Sequence, residues 1–177
     1  LGKSVWLHSA DPDDKPIIDG SNWFQGIVCR SGETNTTIIE GFTIQNCSAQ
    51  WNDWDGDGAP DSWEFAGGGM ACSESHPTII NCTFTANFGQ ESGGGVFNYA
   101  SNPTFTDCDF DWNAVTGSGN GGGMSNRMSS PTLYNCEFWN NSAVLGGGMY
   151  NYDGSSPQLQ ACLFSENDAN YGGGIYN

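Results

Sequence analysis

The 177-residue sequence predicts an all-β solenoid, a right-handed parallel β-helix with three short strands per coil. Two observations carry that expectation. A Gly-Gly-Gly-apolar motif occurs five times, beginning at Gly67, Gly93, Gly121, Gly146 and Gly172, at intervals of 26, 28, 25 and 26 residues. In the first four repeats a proline follows (Pro77, Pro103, Pro131, Pro157), and then a Cys-x-Phe-x-x-Asn signature. Several fixed positions recurring in one order mark a repeat architecture, and this period without helical spacing matches one coil of stacked strands.

The first strand of each coil follows the glycines, as at 69–72 and 148–151. Alternation turns the first and third residues after the glycines inward. Ile27, Met70, Val96, Met124, Met149 and Ile175 then form one apolar column. Cys29, Cys72, Asn98, Asn126, Asn151 and Asn177 form another, whose asparagines can bond to one another up the stack. The second strand follows the proline. The third is Cys-x-Phe, with Cys82, Cys108, Cys136 and Cys162 in one column, beside Phe84, Phe110, Phe138 and Phe164. Between the second and third strands stand Gly41, Asn81, Asp107 and Asn135, residue types that accept a left-handed backbone and so a sharp bend. Ala161 at the same place in the last repeat departs from that rule. The frame extends back through 39–44 and 26–29 to 16–20 and 5–7, giving about six coils in one domain spanning 1–177, read as an excerpt of a longer chain.

Composition narrows the function classes. Glycine contributes 26 residues, and 20 acidic residues face four basic ones, for a net charge of −16. Nucleic acids and anionic bilayers are recognised through clustered Lys and Arg, which this chain lacks. No apolar run reaches the ~20 residues of a membrane-spanning helix. The expected setting is extracellular, secreted or cell-surface. The cysteines recur once per coil and read as buried thiols, with Cys29 and Cys72 the pair most disposed to a disulfide.

One insertion, 46–66, breaks the period. It carries Asp53, Asp55, Asp57, Gly58, Ala59, Asp61 and Glu64 in the D-x-D-x-D-G-x5-E pattern of a calcium loop. The four aspartates offer oxygen, Ala59 its carbonyl and Glu64 a bidentate carboxylate, a hard-oxygen set suited to Ca²⁺. Trp51, Trp54 and Trp63 are expected to anchor this loop.

The Gly-Gly-Gly and Phe-x-x-Asn elements over 26–177 resemble the repeats of the polymorphic outer membrane proteins of chlamydiae and related bacterial β-helix proteins. That resemblance implies an autotransporter passenger and, in several members, an adhesin. Here glycine stands where that family usually has alanine in the third place. The insertion is similar to the calcium elements of thrombospondin-type-3 and dockerin-like repeats.

Outward positions on the first strand supply candidate ligand contacts: Phe97, Tyr99, Arg127, Tyr150, Tyr152 and Tyr176. Aromatic rings there suit glycans or a host or neighbouring cell surface. A purely structural role, as a stalk or a subunit joining end to end into a fibre, is the alternative. Catalysis is the least favoured reading. A lyase would need a base near calcium, with Arg30 and Arg127 the available cations. A glycoside hydrolase would need converging carboxylates, and Asp107, Asp109 and Asp111 are those nearest to each other on one strand.

Overall fold

The computed structural model describes residues 4–11, 14–49 and 66–177. Those residues form parallel strands of two to four residues and no helix.

Three six-stranded parallel sheets make the sides of the solenoid. The glycine sheet holds the strands after the glycine triplets: Ile27–Cys29, Met70–Ser73, Val96–Tyr99, Met124–Arg127, Met149–Tyr152 and Ile175–Tyr176. The proline sheet holds Trp6–His8, Ile38–Glu40, Thr78–Ile80, Thr104–Thr106, Thr132–Tyr134 and Gln158–Gln160. The cysteine sheet holds Ile17–Asp19, Thr43–Gln45, Thr83–Thr85, Asp109–Asp111, Glu137–Trp139 and Leu163–Ser165. A fourth, shorter ladder, absent from the sequence expectation, pairs Phe88–Gly89, Ala114–Val115, Ser142–Leu145 and Asp168–Tyr171 on the way back to the next glycines.

Register is in step with the sequence repeat. Met70, Val96, Met124, Met149 and Ile175 pair in one row. Ile44, Phe84, Phe110, Phe138 and Phe164 pair in another. Within the second row, Phe110, Phe138 and Phe164 stack nearly parallel at 4.4 and 4.5 Å between ring centres. Removing such a side chain from water is worth about 1.5–3 kcal/mol, so the columns are the main source of stability.

Corners are set by left-handed backbone. Gly41, Asn81, Asp107, Asn135 and Ala161 all have φ between 49° and 77° at the expected bend. Ala161 conforms because ladder bonds hold it there, including Asn135 N–H donating to the Gln160 carbonyl at 2.9 Å. A second bend after the cysteine strand uses Asn46, Ala86, Trp112, Asn140 and Glu166, and a third after the glycine strand uses Glu74, Ala100, Met128 and Asp153. The first glycine of each triplet makes the last turn: a Cβ on Gly93 (φ 61°) would lie 2.3 Å from the Val96 carbonyl oxygen.

Polar rows run along the axis between the apolar ones. Asn98, Asn126 and Asn151 each donate Nδ2–H to the Oδ1 of the next asparagine, ending on Asn177, at 2.7–2.8 Å, as the spacing predicts. The Phe-x-x-Asn asparagines form a second ladder: Asn87, Asn113, Asn141 and Asn167 bond successively at 2.9–3.0 Å. Cys47 begins that row, its backbone N–H donating to Asn87 Oδ1 at 3.0 Å. A third row is serine, with the N–H of Ser75, Ser101 and Ser129 each donating to the serine hydroxyl one coil on.

All seven cysteines are free thiols. Six are buried, and Cys162, with no described coil above it, is half-buried. Cys29 and Cys72 are register partners, but no disulfide joins them. Burial pushes the Cys82 and Cys162 thiols upward, and that of Cys47 to about 11. The column donates S–H to backbone carbonyls, as Cys108 does to Thr106 at 3.3 Å, the behaviour of small core residues with a weak donor.

Candidate ligand groove on the glycine sheet

Outward positions on the glycine sheet alternate with the apolar and asparagine columns, so strand geometry alone fixes which side chains leave the core. Tyr99, Arg127 and Tyr152 are register partners on successive coils, and Tyr150, two residues before Tyr152, pairs with Tyr176. The structure brings them together. The Arg127 guanidinium lies over the Tyr99 ring at 5.6 Å and the Tyr152 ring at 5.7 Å. Tyr150 stacks on Tyr152 at 4.9 Å and on Tyr176 at 5.8 Å.

Arg127 is committed within this row. Its Nε–H donates to Asp153 Oδ2 at 3.0 Å, and that ion pair holds the guanidinium in its charged form. Cation–π contacts at half-exposed sites contribute about 0.5–1 kcal/mol each. Arg127 therefore serves as the spacer that sets two tyrosines apart, with its charge already matched. Burial raises the Tyr150 and Tyr152 hydroxyls, so both stay protonated donors at neutral pH.

Phe97 is a correction to the expected ligand face. It points away from the core, yet it is only 1% exposed. The left-handed turn at Gly93 folds the incoming chain back over it, so that a Cβ on Gly93 would touch Phe97 Cα at 3.0 Å. Ala71 and Ser125, its neighbours in register, are buried in the same way.

Those turns build one wall of a groove of about 320 Å³, lined by Gln90, Glu91, Ser92, Ser118, Gly119, Asn120, Tyr150 and Tyr152. Asn120 N–H donates to the Glu91 carbonyl at 3.2 Å, tying the two turns together, and Ser92 pairs with Asn120 as an isolated bridge. The lining is polar, with Glu91 its one formal charge. Sequence reasoning found the tyrosines and missed the turn residues, which do not recur. The available signal was the 28-residue interval between Gly93 and Gly121, longer than the others, which lengthens the turn at 116–119.

The remaining expected sites lie elsewhere. The calcium-loop residues Asp53, Asp55, Asp57, Ala59, Asp61 and Glu64, with Trp51, Trp54 and Trp63, fall outside the described residues. Asp107 sits in its bend, accepting from Asn135 Nδ2 at 2.7 Å. Asp109 and Asp111 point out from the cysteine sheet beside Glu137. There burial, with Asp109 and Glu137 as like charges, raises the Asp111 carboxyl to about 6. Trp112 and Trp139 meet edge to face at 5.3 Å on the same side.

The comparisons agree with this architecture. The family model for the right-handed β-helix region matches residues 12–177, and the chain belongs to that family. Searches of curated proteins and of solved structures each returned no match.

Proposed function

We propose that this chain is a non-catalytic extracellular binding module, a β-helix adhesin or carbohydrate-binding passenger stabilised by calcium. The observation that carries the reading is the organised row of Tyr99, Arg127, Tyr152, Tyr150 and Tyr176 on one outer face, bordering a polar groove. Exposed aromatic surface held rigid by its neighbours offers contact area at little cost in side-chain freedom, which suits recognition. The likeness of its repeats to those of bacterial surface passengers supports a cell-surface or secreted location, as does the excess of 16 negative charges. Calcium bound by Asp53, Asp55, Asp57, Ala59, Asp61 and Glu64 would neutralise a dense run of carboxylates and fix the inserted loop, a structural contribution with no reaction step.

The test is binding of the purified chain to a glycan array and to intact cells, for wild type and for the Tyr150→Ala/Tyr152→Ala double variant, with circular dichroism to show that both are folded. Binding that the double variant loses supports the module. Wild-type chains that bind neither, and that form long fibres by electron microscopy, would place the protein among structural filaments instead.

A further inference from the structure

The cysteine sheet carries a second outer face, on a different sheet from the row of Tyr150 and Tyr152. We infer that this face docks a cationic segment of a partner protein, its arginines set between the carboxylates of Asp109, Asp111 and Glu137 and the indoles of Trp112 and Trp139. The inference goes beyond the binding-module reading and does not depend on it.

The first observation is where register puts charge. Asp109 pairs with Glu137, and Asp111 with Trp139, on neighbouring coils. Paired strands lie about 4.8 Å apart, so two carboxylates stand directly opposite each other, an arrangement that destabilises a sheet. Phe110 and Phe138 alternate with these residues and are fully buried, which puts all four side chains on the outer side. Among the described residues none of the three carboxylates is in a salt bridge. Lys15, the cation that acts on Asp111, donates its Nζ–H to Thr83 Oγ1 at 3.0 Å.

The second observation is that apolar surface adjoins the charge. Trp112 and Trp139 are 55% and 36% exposed, and Leu163, the register partner of Glu137, is 54% exposed. Burial, with the like charges of Asp109 and Glu137, pushes the Asp111 carboxyl up to about 6, so its negative charge stands poorly matched in the free chain. A local arrangement that costs stability is what a binding face leaves behind when its partner is away.

Charge complementarity selects that partner. A nucleic acid, a uronate or an anionic bilayer is repelled by three carboxylates on a chain of net charge −16. A metal ion needs ligands that converge, and no three such groups among the described residues are placed to hold one. A guanidinium satisfies both halves of the face, since its forked N–H donors match carboxylate oxygens and its plane stacks on an indole. Carboxylates on successive coils with indoles at their edge therefore fit a run of arginines.

Titration calorimetry on the full chain in about 0.15 M salt, with octa-arginine, octa-lysine and cellohexaose as probes, tests the assignment. Octa-arginine is expected to bind, and more tightly than octa-lysine. Asp109→Asn/Glu137→Gln should weaken it by about tenfold or more. Glu74→Gln/Asp168→Asn removes the same charge from exposed sites elsewhere and should stay within about twofold. Trp112→Ala/Trp139→Ala should abolish the preference for arginine over lysine, with circular dichroism to show that each variant is folded. Equal losses from the two charge pairs would mean attraction to bulk charge and overturn the docking face, and the isosteric pairs decide this even where the tryptophan variant does not fold. Absence of octa-arginine binding overturns it too. So does cellohexaose binding that the tryptophan variant loses in place of arginine binding, which assigns the face to a glycan. None of these outcomes bears on the Tyr150 and Tyr152 reading, which stands or falls on its own double variant.

Discussion

A buried primary amide must find partners for two donors and an acceptor with two lone pairs, and Asn113 does so without water. Its Nδ2 donates to the Phe84 carbonyl at 2.8 Å and to Asn141 Oδ1 at 3.0 Å. Its Oδ1 accepts from the backbone and side chain of Asn87 at 3.1 and 3.0 Å. Full satisfaction is what lets an asparagine with no exposed surface replace an apolar residue in this interior. Asp111 is the opposite case, a carboxylate held where its charge is unwelcome. Its folded pKa is about 6 against an ordinary value of 3.8, so between those values the folded state keeps a proton that the unfolded chain has released. Stability contributed by this group is present at low pH and is lost as pH rises through that window. Asp111→Asn, neutral throughout, is expected to be more stable than wild type at pH 7. The difference should disappear below pH 3.8, read from urea midpoints across the pH range. A difference that does not change with pH would show that Asp111 ionises freely.

At the level of the strand and the bend, the sequence announces what is repeated. The Gly-Gly-Gly and Cys-x-Phe-x-x-Asn signatures place three strands per coil, their inward columns and the bend at Asn81, Asp107 and Asn135, and the register pairs follow them row for row. The other bends were hidden because residues as unlike as Ala86, Trp112 and Glu166 occupy one of them, each held left-handed by ladders on both sides. Phe97 was misplaced for a related reason: alternation says which way a side chain leaves the strand, while its cover comes from a turn of no fixed sequence. Glycines differ accordingly. Gly154 (φ 79°) has nothing within 4 Å of an added Cβ, so Gly154→Ala should lose only the left-handed preference, about 1 kcal/mol. Gly93→Ala adds a methyl group 2.3 Å from the Val96 carbonyl oxygen and should cost more than about 4 kcal/mol, or prevent folding. Denaturation midpoints of the two variants would check this, and equal losses would mean that the Gly93 turn opens without penalty.

For the whole molecule, stability is a sum over neighbouring coils, because every sheet pairs a strand only with the coil below and the coil above. An inserted loop can add to that sum if it binds a ligand in the folded state alone. Calcium at a hundredfold over its dissociation constant would raise stability by about 2.7 kcal/mol. Excess chelator is therefore expected to lower the thermal midpoint of the wild-type chain, and Glu64→Gln to remove most of that difference. An unchanged midpoint on chelation would remove calcium from the account of this protein.

The two asparagine rows have a sense of direction. In each, the bonds between successive side-chain amides run one way, from Nδ2 to the Oδ1 of the coil that follows in sequence. Their dipoles therefore add along the axis, as those of a polarised crystal do. A duplicated coil spliced in the same orientation between two of these asparagines meets an acceptor on one side and a donor on the other. Tandem duplication of whole coils therefore extends both rows without reversing any of their bonds.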